Sequence, residues 1–194
     1  MTTSRTFADH LASLPPSAGT TILVGIDGFS GAGKTALAGE LAEHEDVTVV
    51  SIEEFYLGWE GLAAAPGRVL DGLVAPLRRG GTPCWRPWDW EHEREGPEQE
   101  RPVTTRVVAL EGCGAGARSL RHHHALTVWV DADPPERERR LRTREDWPLY
   151  APHRDAWRRT EQALAEREGL PGAADVIVRR HPDGSLDIRT SRHR

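Results

Sequence analysis

Residues Gly28-Phe29-Ser30-Gly31-Ala32-Gly33-Lys34-Thr35 fit the spacing G-x-x-x-x-G-K-(S/T). Glycines at 28, 31 and 33 permit a tight turn whose backbone N–H groups converge on phosphate oxygens. The lysine brings a compact ammonium to the β- and γ-phosphates, and the threonine hydroxyl suits Mg²⁺. Lys34 is the only lysine among 25 basic residues, and asparagine is absent. A GC-rich coding bias accounts for arginine elsewhere. Lysine survives where a planar guanidinium has the wrong shape. All eight residues are therefore expected to hold ATP, with Mg²⁺ on Thr35.

Carboxylates come next. Glu53 follows one apolar run and Glu111 ends another. In an open α/β sheet such strand ends converge beside the bound phosphates. A carboxylate there can take the proton of an attacking hydroxyl or orient magnesium through water. Glu53 is assigned the base role and Glu111 the magnesium role. Asp27, just before the loop, is within reach of metal or acceptor, and Glu54 is read as structural.

The elements that must position these groups are legible as apolar runs. Residues 21–26, 47–51, 106–110, 125–130 and 174–178 read as buried strands alternating with helical patterns. Continuous β-branched runs of this kind indicate a parallel sheet covered on both faces. The expected fold is therefore a three-layer α/β sandwich of the P-loop type, in a single domain spanning 1–194. A helix is expected around Phe7, Leu11 and Leu14. Pro182-Asp183-Gly184 reads as a turn into a last strand over 185–189, closing a hairpin.

Two stretches break the alternation. Residues 57–104 are rich in Gly, Pro and Trp and form a candidate acceptor insertion. Residues 136–150 begin with an arginine-dense helical pattern and form a candidate lid. At helical spacing Arg137, Arg140 and Arg144 share a face. Arg140 and Arg144 are assigned to the transferring phosphoryl group. Trp88, Trp90, Tyr56 and Trp59 can build a stacking wall for a ring. His122-His123-His124 reads as a surface turn rather than a metal site, since consecutive side chains diverge.

Bulk properties narrow the class. A net charge of −5 argues against general nucleic-acid binding. No apolar run approaches the roughly 20 residues of a membrane span, and the N-terminus lacks a signal-peptide core. Two cysteines are too few for a disulfide framework, so a cytoplasmic, reduced protein is expected. A Ras-type guanine-reading motif needs Asn and a second Lys, and both are missing.

At these motifs the chain resembles the uridine kinase-like family of P-loop kinases, which includes phosphoribulokinase and bacterial pantothenate kinase. The resemblance runs from about residue 20 to 180. The family's Asp-x-Phe-Tyr reads here as Glu53-Glu54-Phe55-Tyr56, with glutamate one methylene longer than aspartate. Glu111-Gly112 matches its Glu-Gly. The family's nucleoside-binding segment reads as Trp88-Asp89-Trp90-Glu91-His92-Glu93-Arg94, with the histidine one position early. The resemblance thus implies acceptor contacts from Tyr56, Asp71, Trp88, Asp89, Trp90, His92 and Arg94. It also implies a base in Glu53, an arginine lid, and phosphorylation of a small-molecule hydroxyl, a nucleoside foremost. Rival acceptors are a sugar, a pantothenate-like alcohol or a specialised metabolite. A non-catalytic nucleotide-binding module is the rival class, and assembly with copies of itself is compatible with the sequence.

Overall fold

The computed structural model describes residues 2–181 and 183–191. The central sheet has six strands: β1 (Ile22–Asp27), β2 (Val47–Ser51), β3 (Val107–Glu111), β4 (Leu126–Asp131), β5 (Val176–Arg180) and β6 (Leu186–Thr190). Their spatial order is β6-β5-β4-β1-β3-β2. Every pairing is parallel except β5 with β6. The chain leaves β1, travels to the edge at β2, returns through β3 and crosses to β4. Such a reversal of direction opens a crevice at the carboxyl ends of the strands. This is the mainly parallel α/β sandwich that the alternating runs predict.

Alternation of side chains assigns each strand two faces. On one, Ile22, Val24, Ile26, Val107, Ala109, Val128 and Val130 pack with α1 (Ser4–Ser13) and α2 (Lys34–Leu41). Phe7 and Leu11 of α1 and Leu37 and Leu41 of α2 supply that layer. On the other face, Leu23, Val108 and Leu110 meet Phe55, Leu62, Leu73 and Trp85. Each such side chain contributes roughly 1.5–3 kcal/mol by leaving water. The insertion after β2 is thus held on the face of the sheet opposite to the helix that follows the phosphate loop.

Boundaries differ from expectation in three informative places. β5 starts at Val176; Asp175, just before it, is bound to Thr127 of β4. Its carboxylate accepts from the Thr127 N–H at 2.7 Å, and its N–H donates to the Thr127 carbonyl. Residues 65–78 run as one continuous helical stretch with a π turn at Leu70–Val74. Asp71 therefore sits inside a helix. The candidate lid helix α3 (Pro134–Arg142) stops at Thr143, so Arg144 leaves the face shared by Arg137 and Arg140. The closing hairpin forms at Leu186–Thr190; Pro182 of its expected turn lies outside the described residues.

The rest of the 57–104 insertion is two short antiparallel ribbons. Cys84–Trp85 pairs with Gln99–Glu100, and Trp88–Asp89 with Arg94–Glu95. Trp85 stacks on Phe55 at 4.8 Å and donates its indole N–H to Glu54 at 3.1 Å. Arg101 also donates to Glu54. Glu54 is thus engaged in holding the insertion against the turn that carries Glu53. No helix among the described residues is long and apolar enough to cross a membrane.

Candidate active site

The loop between β1 and α2 is shaped by its glycines. Gly28, Gly31 and Gly33 adopt φ of 151°, 77° and 105°, a region that favours glycine. A Cβ on Gly28 would lie 2.3 Å from the Val130 carbonyl, and one on Gly31 2.5 Å from that of Arg137. The loop is therefore pressed between β4 and the lid helix with no room for side chains at these two positions.

Lys34 is the first residue of α2 and is buried. Its ammonium donates to the Gly28 carbonyl at 2.8 Å and the Phe29 carbonyl at 3.2 Å. Burial disfavours the charge, but the acidic groups Cys113, Glu111, Glu161 and Asp27 outweigh it and hold the ammonium above its ordinary range. Thr35 is exposed, with its hydroxyl 3.5 Å from Glu111 Oε2. Burial pushes the Glu111 carboxyl up, against the pull of Lys34 and with a further push from Glu53. A cradle of glycines, a fixed ammonium and a hydroxyl beside a carboxylate form a donor set that fits a magnesium-bound triphosphate.

Asp27 is occupied differently from the sequence reading. Its carboxylate is buried and accepts from the N–H groups of Gly28 at 2.6 Å, Gly114 at 3.1 Å and Gly116 at 2.8 Å. These bonds tie the end of β1 to the turn after β3. Burial raises its pKa, and the three N–H donors act against that rise.

Glu53 sits on the 3₁₀ turn Ile52–Phe55 that follows β2, with its N–H on the Ser51 hydroxyl. It opens into a cavity of about 260 Å³. Ser30 of the phosphate loop, Tyr56, Trp59, Trp90, Arg144 and Trp157 also line that space. The rings form a packed cluster. Trp59 is edge-on to Trp90 at 5.0 Å and to Trp157 at 5.8 Å, and its face stacks on His153 at 4.3 Å. The Tyr56 hydroxyl donates to the Cys113 carbonyl at 2.8 Å, which fixes the ring edge.

The assigned residues divide between this cavity and other places. Glu53, Tyr56, Trp90 and Arg144 meet around it. Trp88 does not line it; the ring lies over Gly58. Asp89 folds back on its own loop, accepting from the backbone N–H groups of Glu91 and His92 and pairing with His92 Nδ1 at 2.8 Å. Arg94 and Asp71 are exposed away from the cavity. The reason is local: Asp89 and His92 of the 88–95 ribbon bond each other, and Trp90 is its contribution to the cavity.

The lid arginines also divide. Arg140 donates to the Ala32 carbonyl at 2.9 Å and the Gly31 carbonyl at 3.4 Å, and pairs with Glu136. It clamps the lid helix to the outside of the loop. Arg144 pairs with Asp146 and faces Glu53 across the cavity. Arg137 lies over the Phe29 ring at 4.8 Å and 3.9 Å from Glu161.

Residues on α4 (Arg154–Glu168) were not singled out by the sequence reading. Trp157 forms one wall, and Glu161, one turn further on, reaches the phosphate loop. Their spacing of four, with an aromatic and a carboxylate on one face of a charged helix, was the available signal.

Comparison with known proteins supports the architecture. No family profile matches the chain, and no curated relative does. Solved structures do match. A protein described as a possible uridine kinase from Bacillus stearothermophilus is 17% identical, with a TM-score of 0.62 over 90% of this chain and 96% of its own. A protein provisionally described as a fructose transport system kinase from Silicibacter sp. TM1040 is 20% identical, with a TM-score of 0.56 over 91% and 98%. The YGR205w protein is 11% identical, with a TM-score of 0.51 over 88% and 90%. The fold is that of the P-loop kinases.

Proposed function

We propose that the chain is an ATP-dependent kinase that phosphorylates a hydroxyl of a small ring-bearing molecule, with a nucleoside as the leading acceptor. The observation that carries this is a shared border: Ser30 of the phosphate loop and Glu53 line the same cavity. An acceptor seated among the rings would present its hydroxyl to a carboxylate at the edge of the phosphate site.

In this reading the loop N–H groups and Lys34 hold the triphosphate, and Thr35 with Glu111 would hold Mg²⁺. Bound magnesium would neutralise phosphoryl charge. Glu53 takes the hydroxyl proton as the bond to phosphorus forms. Arg144 answers the negative charge that develops, and Arg140 keeps the lid on the loop. Tyr56, Trp59, Trp90 and Trp157 grip the ring and exclude water. The cytoplasm, where ATP and reduced thiols are abundant, is the proposed location.

A sugar acceptor is the second reading. Its support is that Asp71, Asp89, His92 and Arg94, which would read a nucleoside, stand outside the cavity, while aromatic faces equally suit a sugar ring. The test measures ADP release from MgATP with a panel of nucleosides, sugars and pantothenate-like alcohols. Acceptor-stimulated release is expected with a ring-bearing alcohol. ATP binding without stimulation by any member of the panel would favour a non-catalytic nucleotide-binding module.

A further inference from the structure

One wall of the cavity, the Trp157 ring, is hydrogen-bonded to the phosphate loop at Ser30. Trp157 Nε1 donates to the Ser30 hydroxyl at 3.1 Å. That hydroxyl donates to Glu161 Oε2 at 2.8 Å, and the Ser30 N–H donates to the same oxygen at 2.9 Å. Trp157 and Tyr150 both line the cavity. Ser30 and Glu161 are buried, so neither water nor an alternative rotamer readily replaces these bonds.

The directions are consistent along the chain. The indole can only donate, the carboxylate can only accept, and the serine hydroxyl does both. Each link therefore fixes the next. Glu161 anchors Ser30 by two bonds, and Ser30 sets the in-plane angle of the Trp157 ring. Trp157 in turn packs on Tyr56 at 5.3 Å and on Trp59. A shift of Ser30 by a few tenths of an ångström must turn the indole or break its bond. A ring pressing on the indole must load Ser30.

We propose that Glu161 and Trp157 are positioning residues that couple the acceptor cavity to the phosphate loop through Ser30. The inference rests on the reading of residues 28–35 as a nucleotide site. Triphosphate binding then reorients the Trp157 wall before any acceptor arrives. By reciprocity, an acceptor that fixes Trp157 tightens nucleotide by the same factor that nucleotide tightens acceptor.

Fluorine NMR of the fluorotryptophan-labelled full chain tests this without knowing the acceptor. Trp157→Phe assigns the Trp157 resonance, and the probe is magnesium with adenylyl imidodiphosphate. The resonance is expected to shift on saturation in the wild type. The shift should disappear in Ser30→Ala and Glu161→Ala and return in Glu161→Gln, which keeps an acceptor oxygen. Thermal unfolding of each variant shows that it is folded. Saturable nucleotide binding with an unmoved Trp157 resonance would overturn the coupling and leave the nucleotide site standing. An equal shift in Ser30→Ala would overturn the route through Ser30. No binding of the probe to wild type would overturn the nucleotide reading, and the coupling with it.

Discussion

Thr35 and Glu111 face each other across the carboxyl end of the sheet, with the threonine hydroxyl 3.5 Å from the carboxylate. The pair comes from two elements, the first turn of α2 and the last residue of β3. Parallel pairing of β1 with β3, in register from Ile22 with Val107 to Ile26 with Glu111, brings them together. In the proposed function this hydroxyl and carboxylate, beside a buried ammonium, would hold a hydrated Mg²⁺. Glu111→Gln keeps the shape and removes the charge. The magnesium concentration for half-maximal turnover should rise about tenfold or more. A magnesium titration at fixed ATP checks this.

Lys34 rests on the carbonyls of Gly28 and Phe29, within its own loop. Lys34→Ala and Lys34→Arg should both weaken nucleotide binding by about tenfold or more, since a charge-assisted bond contributes roughly 1.5–3 kcal/mol. The arginine variant should fare no better, because the guanidinium is larger than the buried space and cannot act as a point charge. Calorimetric titration with ADP and magnesium provides the comparison.

Trp90 and Trp88 are two residues apart and should respond differently. Trp90 lines the cavity and packs on Trp59 and Tyr56. Trp90→Ala should raise the acceptor KM by about three- to tenfold, in keeping with the roughly 0.5–1.5 kcal/mol of an aromatic contact. Trp88→Ala should instead lower the melting temperature, with the acceptor KM nearly unchanged. Steady-state kinetics and thermal melts on both variants check this.

His124 supplies a pH dependence. Burial pushes its pKa down to about 3, and its ring lies under Gly25. The folded chain therefore keeps the ring neutral, whereas the unfolded chain protonates it near the ordinary 6.5. Its contribution to stability is complete above pH 6.5 and is lost progressively as pH falls towards about 3. The slope from this group approaches about 1.4 kcal/mol per pH unit within that window. His124→Gln should flatten the acid limb of stability against pH by about that amount. Denaturant unfolding from neutral to acidic pH, wild type against variant, gives the answer.

How far the sequence carried depended on whether a residue's partners were local. The phosphate loop was legible because its glycines, lysine and threonine are contiguous and its strand and helix flank it. Glu111 was legible because strand ends converge in any parallel sheet. Arg144 was placed on the wrong helical face, since nothing in the arginine run marks Thr143 as the helix end. The 88–95 ribbon was harder still: Asp89 could face a ligand or its own His92, and that choice is made by the turn. Trp157 and Glu161 lie more than 120 residues from Ser30, and no local pattern announces that contact.

The proposed reaction is phosphoryl transfer to a hydroxyl with Glu53 as base. Its most direct measurement follows label from ATP carrying a radioactive γ-phosphoryl into an acceptor from the ring-bearing alcohols, for wild type, Glu53→Gln and Glu53→Asp. The expected result is labelled product with wild type and a rate lower by about 10²–10⁴ in Glu53→Gln, with nucleotide affinity unchanged. Glu53→Asp should retain part of the activity. Labelled product formed at near wild-type rate by Glu53→Gln would contradict the base assignment. Label that reaches only water or stays in ATP would contradict the kinase itself.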